Sequence, residues 1–402
     1  MNQTGRLANR MKWRRVNLVM GIVILFSLSF SENVVIHKNF DTAWKQLIHL
    51  LSVVGDSKEH PYSVNPDNHL RFVPAKHWTS GFFPGCLWLL YEYSGDAKWQ
   101  EAARKFTENL EMEQYNGGTH DMGFKMFCSY GNGYRLTNDL HYKQVLLQSA
   151  KTLMTRFNPK VGCIRSWDHH ADVWQYPVII DNMMNLELLF WATKESGDST
   201  FYDVAVTHAN TTIMNHFRGD YSTWHVIDYD TTTGAILGRD THQGYAPESC
   251  WARGQAWGLY GFTMCHRETG DQRYLVQAEK MAEFILNHDN LPDDMIPYWD
   301  FDAPNIPNEE RDSSAGAIIC AALYELSLYS GKNAEKYRSA ADKMLETLSS
   351  VRYLAKVGDN CGFVLMHGVA SKRSNSEVDR PLVYADYYFL EANLRKLRSS
   401  SK

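Results

Sequence analysis

An alternation of apolar and half-polar helical stretches is the feature that most restricts the fold of this chain. Four stretches rich in Trp, Tyr, Leu and Phe each end in a short polar turn that contains glycine. The turns are Ser94-Gly95-Asp96, Ser196-Gly197-Asp198, Thr269-Gly270-Asp271 and Ser330-Gly331-Lys332, and Thr137-Asn138-Asp139 has Asn in the same position. Gly and Asn are typical of the left-handed residue that ends a helix, so each turn predicts a helix C-terminus.

A second set of helices, each with one polar face, follows these turns. Their predicted ranges are 98–111, 141–157, 201–217, 273–288 and 334–350. With an opening helix at 40–54 and a closing helix at 386–397, the chain contains six helix pairs. Helices that are apolar on every side, combined with helices that are apolar on one side, describe two concentric rings. The sequence therefore predicts an all-α fold, an (α/α)6 barrel of six helical hairpins, with a linear solenoid of helix pairs as the alternative.

Polar and aromatic residues precede each apolar helix. If the inner helices run parallel, their N-termini share one mouth of the barrel, and six helix starts deliver these side chains to one place. The segments are 77–79, 120–121, 181–182, 251–257, 311–314 and 384–386. Since helix N-termini favour anions, we expect the mouth to accept a carboxylated or sulfated ligand.

Asp181 ends the apolar run Val178-Ile179-Ile180 and begins a helix that is apolar on almost every side. One interpretation is a helix N-cap, and the recurrence of the same arrangement at other inner helices favours a functional carboxyl. A helix N-terminus favours the carboxylate by about 0.3–1 kcal/mol, and Arg253 would act in the same direction. Burial among Met, Phe and Trp raises a carboxyl pKa by up to about 3–5 units. We therefore expect a raised pKa for Asp181.

The helical pattern stops between Phe217 and Cys250. Residues 224–228 and 235–237 flank a Thr-rich turn and predict a short β-hairpin, inserted at the active-site end of the barrel. Long insertions of this kind often carry specificity. Two smaller excursions, 163–176 and 361–380, are expected to complete the rim.

Residues 1–31 have the pattern of a cleavable secretory signal peptide. Basic residues precede the apolar run 16–30, which is short for a membrane span. An uncleaved anchor is the alternative. We expect residues 32–402 to form a single (α/α)6-barrel catalytic domain that is periplasmic or secreted and has no membrane contact after cleavage. The small net charge of −5 argues against nucleic acid as a partner.

Trp residues together with Asp residues in a helical barrel suggest carbohydrate chemistry. Pyranose faces stack on indole rings, while the sugar hydroxyls need fixed hydrogen-bond acceptors. Core packing is the alternative for any single Trp. Trp78 and Trp257 stand at helix starts beside polar residues, which favours ligand binding for these two.

No phosphate-binding glycine loop or cofactor fingerprint occurs in the sequence, and we expect no cofactor. The pair His169-His170, near Asp168 and Asp172, is the best candidate for a metal site. Its spacing matches no helix-borne set of ligands, so we expect these residues to be polar rim residues and expect no metal.

Five segments together resemble the unsaturated glucuronyl hydrolases of glycoside hydrolase family 88. The segments are Trp78-Thr79-Ser80-Gly81-Phe82-Phe83-Pro84-Gly85, His120-Asp121-Met122-Gly123-Phe124, Ile180-Asp181-Asn182-Met183-Met184-Asn185-Leu186, the run 245–257 with Trp251-Ala252-Arg253, and the run 384–392. They extend over nearly all of the chain that follows the signal. The unsaturated rhamnogalacturonyl hydrolases share the barrel and the Asp of the third inner helix, and they are the nearest alternative.

The resemblance implies an unusual reaction on a glycan fragment. Polysaccharide lyases leave a C4=C5 double bond in the uronic acid at the non-reducing end. Family members add water across this enol ether, the resulting C5 hemiketal opens, and the rest of the glycan leaves. The implied substrate is a lyase-generated glycosaminoglycan oligosaccharide from heparan, chondroitin or hyaluronan, and Lys372 with Arg373 suggests a sulfated one.

The resemblance also assigns residues. Asp181 corresponds to the general acid and base, and Asp121 to a second Asp that holds ring hydroxyls and assists charge placement. The expected substrate-binding residues are Trp78, His120, His225, Arg239, Thr241, Gln243, Arg253, Trp257, Ser371 and Ser374.

Two further interpretations stay open. Asp121 and Asp181 could be the acid and base of an inverting glycosidase, which needs about 6.5–9.5 Å between its carboxyls to admit a water molecule. The chain could also be a glycan-binding barrel without catalysis. The presence of both Asp residues together with His225, Gln243 and Arg253 argues against this second interpretation.

Overall fold

Two rings of alternating helices make up the fold in the computed structural model, which describes residues 34–400. In chain order the helices are α1 (34–54), α2 (Phe82–Ser94), α3 (Ala97–Glu108), α4 (Asn132–Thr137), α5 (Leu140–Met154), α6 (Leu186–Ser196), α7 (Ser199–Asn215), α8 (Ala252–Thr269), α9 (Gln272–Leu286), α10 (Ser313–Leu326), α11 (Ala334–Leu348) and α12 (Val383–Ser400). The even-numbered helices form the inner ring and the odd-numbered helices the outer ring. A π-helical segment, Gly123–Gly131, leads into α4, and a 3-10 segment, Ile180–Asn185, leads into α6.

The inner ring is closed and its helices run parallel. Each inner helix, with its leading segment, contacts the next, and α12 contacts α2. The C-terminal turns of all six line one cavity of about 1180 Å³, to which they contribute Glu92, Arg135, Glu195, Glu268, Glu325 and Arg395. The N-termini therefore meet at the opposite end of the ring. The predicted (α/α)6 barrel is confirmed.

Burial separates the two rings as the apolar pattern predicts. Every residue of α10 is buried. The outer helix α11 buries only Tyr337, Ala341, Met344, Leu345 and Leu348, which lie on one face at helical spacing. An inner helix contacts other helices on all sides, so it needs apolar residues all round, whereas an outer helix keeps one face in water.

Compact turns join each inner helix to the following outer helix. Gly95, Asn138, Gly197 and Gly270 are left-handed C-cap residues, as the turn pattern predicts. In each of these turns the next residue, an Asp, accepts a hydrogen bond from the backbone N–H two residues later and caps the outer helix. Gly331 is the exception, because α10 ends at Leu326 and Gly331 begins a separate 3-10 turn, Gly331–Asn333.

Short antiparallel strands lie in the loops that connect the helices of the barrel. They are β1 (His60–Val64), β2 (Leu70–Val73), β3 (Phe157–Asn158), β4 (Cys163–Ile164), β5 (Pro177–Ile179), β6 (Val226–Tyr229), β7 (Ile236–Asp240), β8 (Gly368–Ser371) and β9 (Ser376–Arg380). The predicted insertion is the β6–β7 hairpin, and β5 extends it to a three-stranded sheet. Because β5 ends two residues before Asp181, this sheet places the insertion beside that carboxyl.

The predicted signal peptide, residues 1–31, lies outside the described residues and stays a prediction. Within residues 34–400, no helix is both long and apolar enough to cross a membrane.

Replacement of Gly81 tests the close approach of α2 to the second inner helix. A Cβ at this position would collide with the carbonyl oxygens of Phe124 and Lys125, and backbone atoms cannot move aside cheaply. We expect Gly81→Ala to lower the free energy of unfolding by about 3 kcal/mol. The control is Gly197→Ala, which meets no atom within 4 Å and strains only a left-handed residue, at about 1 kcal/mol. Equal losses on chemical denaturation would contradict this packing.

Candidate active site

Asp181 lies at the mouth formed by the N-termini of the inner helices. It is the second residue of the 3-10 segment Ile180–Asn185, and it is 8% exposed. The N-cap position is occupied by Ile179 and no side chain caps the segment, so the interpretation of Asp181 as an N-cap is wrong. β5 pairs with β6 just before the segment, and the N–H of Ile180 donates to the carbonyl of His225 at 3.1 Å. This pairing brings His225 to Asp181.

His225 presents one ring nitrogen to Asp181. Its Nε2 is 3.7 Å from Oδ2 of Asp181, and neither atom has a hydrogen-bond partner within the described chain. The other ring nitrogen, Nδ1, accepts from the backbone N–H groups of His242 at 3.2 Å and Gln243 at 3.3 Å. The proton of a neutral ring therefore sits on Nε2 and faces the carboxyl. Burial, with His242 and Arg253 acting in the same direction, holds the pKa of His225 well below its usual range.

Burial dominates the protonation of Asp181. It raises the pKa of this carboxyl to about 7, against the opposing charge of Arg253, while the nearby carboxylate of Asp121 raises it further. The expectation of a raised pKa is therefore confirmed, with the same balance of causes. Near neutral pH the carboxyl is populated in both forms, so it can donate a proton and later accept one.

Arg253 joins three elements behind the mouth. It lies in the first turn of α8, is 1% exposed, and donates through Nη1 to Oδ2 of Asp312 at 2.9 Å. Its guanidinium also donates to the carbonyls of Val369 and Ala370 in β8. Asp312 in turn caps α10 by accepting from the N–H of Ser314 at 3.0 Å. The guanidinium is thus fixed on α8, α10 and β8, and its charge reaches Asp181.

Asp121 is held at the start of the second inner helix. Its Oδ2 accepts from the hydroxyl of Thr119 at 2.6 Å, and its Oδ1 is 3.3 Å from Nε2 of His120. Asn185 supports the same turn, because its Oδ1 accepts from the N–H of Gly123 at 2.8 Å. The side chain of Asp121 is 17% exposed, more than that of Asp181. The two carboxyls interact electrostatically and have unlike surroundings, as expected when two carboxyls have different tasks.

Thr241 and Gln243 lie beside His225. The hydroxyl of Thr241 is 3.3 Å from Nδ1 of His225, and Nε2 of Gln243 donates to the carbonyl of Ala370 at 3.0 Å. Ser371 ends β8 and Ser374 lies in the turn that follows, where Oγ of Ser371 accepts from the N–H of Ser374 at 3.4 Å. The structure therefore brings the inserted hairpin and the β8–β9 hairpin together on one side of the mouth.

The remaining predicted binding residues are Trp78, Trp257 and Arg239. Trp78 is half-buried and packs against Phe124 and Tyr384 at 5.5 and 5.0 Å between ring centroids. Trp257 is fully buried among inner helices, and its indole N–H has no described partner. Arg239 is exposed and pairs with Ile227 in the sheet. Its assignment as a substrate-binding residue stays a prediction.

The structure adds Trp167 to the site. This residue belongs to the 163–176 excursion, and its ring contacts those of His225 and His242 at 6.4 and 5.3 Å between centroids. It is 9% exposed and its indole N–H has no described partner. The sequence did not single out Trp167, because it predicted only that the excursion 163–176 lies at the rim.

The raised pKa of Asp181 predicts a pH-dependent gain in stability for Asp181→Asn. The unfolded carboxyl has a pKa near 3.9, so stability from the protonated form is complete below that pH and is lost as pH rises through about 7. The gain from Asn should thus be small near pH 4 and reach up to about 4 kcal/mol by about pH 8. Chemical denaturation across this range measures it, and a pH-independent difference would contradict the assignment.

Asp386→Asn is a matched control for that experiment. Burial also raises the pKa of Asp386 to about 7. Its two oxygens, however, accept from the N–H groups of Val364 and Leu365, both at 2.8 Å. An amide would turn a donor toward one of these N–H groups, so at about pH 4, where Asp181→Asn changes little, this variant should lose about 1–3 kcal/mol.

Comparison with known proteins agrees with this geometry. The model of Glycosyl Hydrolase Family 88 matches residues 53–393. An unsaturated glucuronyl hydrolase of Formosa agariphila is 52% identical over 325 residues, which are 81% of each chain. An unsaturated chondroitin disaccharide hydrolase of Streptococcus agalactiae is 33% identical and is matched over 91% of its length by 90% of this chain.

A solved structure matches as well. The crystal structure of an unsaturated glucuronyl hydrolase specific for heparin superposes with a TM-score of 0.89 at 49% identity, covering 92% of this chain and 99% of that one. With the family model matched over residues 53–393, the chain belongs to glycoside hydrolase family 88 and is a glycosidase.

Proposed function

We propose that this enzyme releases the 4,5-unsaturated uronic acid from the non-reducing end of lyase-generated glycosaminoglycan oligosaccharides by hydration of the C4=C5 bond. One observation carries the proposal: a buried carboxyl with a pKa of about 7 at the barrel mouth, facing a neutral imidazole N–H. Protonation of a carbon atom needs an acid that is neutral near working pH, and an ordinary exposed Asp is not.

The steps follow from the two protonation states of Asp181. The protonated carboxyl gives its proton to C4, and a water molecule bonds to C5 while it gives a proton back to the carboxylate. The product carries a hydroxyl on C5, the carbon that also bears the ring oxygen, and it is therefore a hemiketal. Its opening breaks the bond between C5 and the ring oxygen, forms a C5 carbonyl, and leaves C1 as a hemiacetal that releases the glycan.

The surrounding groups suit this exchange. After proton transfer, the Asp181 carboxylate is stabilised by the charge of Arg253. His225, which is neutral, offers its Nε2 proton to the same carboxylate without adding a full positive charge that would keep Asp181 ionised at rest. We assign to Asp121, whose Oδ2 accepts from Thr119 at the adjacent helix start, the role of accepting hydrogen bonds from ring hydroxyls.

Relatives support a glycosaminoglycan substrate and differ in the glycan. One is described as specific for heparin and another as a chondroitin disaccharide hydrolase. The shared part of these substrates is the unsaturated uronate, and the groups around Asp181 are those that would hold it. The conjugated double bond absorbs ultraviolet light, so its loss from disaccharides of each class measures the activity directly.

A saturated substrate tests the hydration mechanism. A saturated glucuronide of the same aglycone should not be cleaved, since it has no alkene to protonate, whereas the unsaturated compound in D2O should release a uronate that carries deuterium at C4. Mass spectrometry of both product mixtures decides the matter, and cleavage of the saturated compound at a comparable rate would contradict hydration.

The pH dependence tests the role of Asp181. Because the acid must be protonated in the free enzyme, kcat/KM should fall about tenfold per pH unit above about 7. Asp121→Asn removes a charge that raises the pKa of Asp181, so in this variant the fall should begin at lower pH. Asp181→Asn should lower kcat by at least about 100-fold and retain binding of the disaccharide. Rates that stay flat from acid to alkaline pH would contradict the role.

A further inference from the structure

Four buried polar atoms at the barrel mouth have no hydrogen-bond partner within residues 34–400. They are Oδ2 of Asp181, Nε2 of His225, Nε of Arg253 and the phenol oxygen of Tyr384. Buried polar atoms in folded proteins nearly always have a partner, so a group of unpartnered ones indicates the place of a ligand. Asp181, His225 and Arg253 already have roles in the proposed reaction, whereas Tyr384 has none.

Tyr384 lies in the first turn of the sixth inner helix, α12, and is 0% exposed. Its ring centroid is 5.0 Å from that of Trp78, and Cζ of Arg253 lies 5.4 Å from the same centroid. Ser314 lies beside the phenol hydroxyl without the geometry of a hydrogen bond, and its own hydroxyl donates to Oδ1 of Asp312. Packing of its ring therefore holds the phenol of Tyr384 next to a buried guanidinium.

The phenol of Tyr384 keeps its proton near neutral pH. Burial raises the pKa of this hydroxyl most, the charge of Arg253 opposes burial, and the carboxylates of Asp312 and Asp181 raise the pKa further. The hydroxyl is therefore a donor toward any anion at the mouth, and Nε of Arg253 can only donate. Two neighbouring donors without a partner fit a group that only accepts hydrogen bonds, and a carboxylate is such a group.

The unsaturated uronate has one carboxylate, attached to C5, the carbon that receives the water. Its ring hydroxyls both donate and accept, and they are assigned to Asp121. The guanidinium of Arg253 uses Nη1 for Asp312 and Val369 and Nη2 for Ala370. Nε is thus the nitrogen of this guanidinium that has no partner within the described chain, as the phenol oxygen has none.

We propose that Tyr384 is a further substrate-binding residue, whose phenol O–H donates a hydrogen bond to the carboxylate of the unsaturated uronate beside Nε of Arg253. The inference rests on the proposed function, because that function supplies the uronate. The carboxylate keeps its charge throughout the hydration, so the hydrogen bond is present in the ground state and in the transition state alike. Its loss should therefore raise KM and leave kcat nearly unchanged.

The test compares an unsaturated uronyl disaccharide with its C6 methyl ester, which keeps the conjugated alkene and lacks the charge. Tyr384→Phe keeps the ring that packs on Trp78 and removes only the hydroxyl. KM for the acid should rise about 10- to 100-fold, as for a lost hydrogen bond to a charged group. For the ester, KM, or the inhibition constant if the ester is not turned over, should rise at most about fivefold.

Tyr130→Phe is the matched control. Tyr130 is also 0% exposed and its hydroxyl also lacks a partner in the described part of the chain, but it packs against Tyr142 of the outer helix α5 at 4.8 Å between ring centroids. This variant should leave the constants of both compounds unchanged. Neither variant should lower the free energy of unfolding, because each removes a buried hydroxyl that makes no hydrogen bond.

A purely structural role of Tyr384 would lower the stability of Tyr384→Phe and weaken the acid and the ester equally. Either that result, or an unchanged KM for the acid, overturns the proposal. If no disaccharide is turned over, the proposed function fails. Calorimetric binding of the acid to the unmodified enzyme and to Tyr384→Phe then still tests the contact, and equal affinities would overturn it.

Discussion

Burial of the inner helices on every side is the constraint on which the rest of this structure depends. A helix such as α10, with no polar face, is stable only when other helices surround it, and six such helices satisfy each other by closing into a ring. Closure with parallel direction brings six N-termini to one mouth. The same apolar packing surrounds the carboxyl that stands there, so the force that builds the barrel also raises the pKa of Asp181.

Arg253 sets the limit to that effect. Its guanidinium is buried and bound by Asp312 and by two carbonyls of β8, which makes it a structural joint between two inner helices and a hairpin. Its charge also opposes the burial of Asp181, and the result is a pKa of about 7. Without the charge of Arg253 the pKa of Asp181 would be higher. Beside a guanidinium that had no other carboxylate partner, its pKa would be lower. Arg253 therefore contributes both to the stability of the fold and to the pKa of Asp181.

One wall of the mouth is built from loops of distant parts of the chain. His225 belongs to the centre through Asp181, and its other ring nitrogen is held by the backbone of the loop that carries His242. The 163–176 excursion supplies Trp167 to the same wall, while Arg373 reaches it from the β8–β9 hairpin. Segments far apart in the chain thus meet beside His225.

The sequence by itself determined the repeat of helix pairs, since Gly95, Asn138, Gly197 and Gly270 mark helix ends through a local preference for left-handed backbone. It also determined the class of barrel, and the family motifs predicted the roles of Asp121 and Asp181. Gly331 shows the limit of this local signal, because the end of α10 depends on packing.

Only the tertiary structure decided which side chains meet. The pairing of β5 with β6 brought His225 to Asp181, and the pairing of distant strands cannot be read from composition. The burial of Asp181, the ion pair of Lys372 with Glu309 and the contact of His242 with His169 each need residues from distant segments of the chain. These residues come together only when the ring of helices closes.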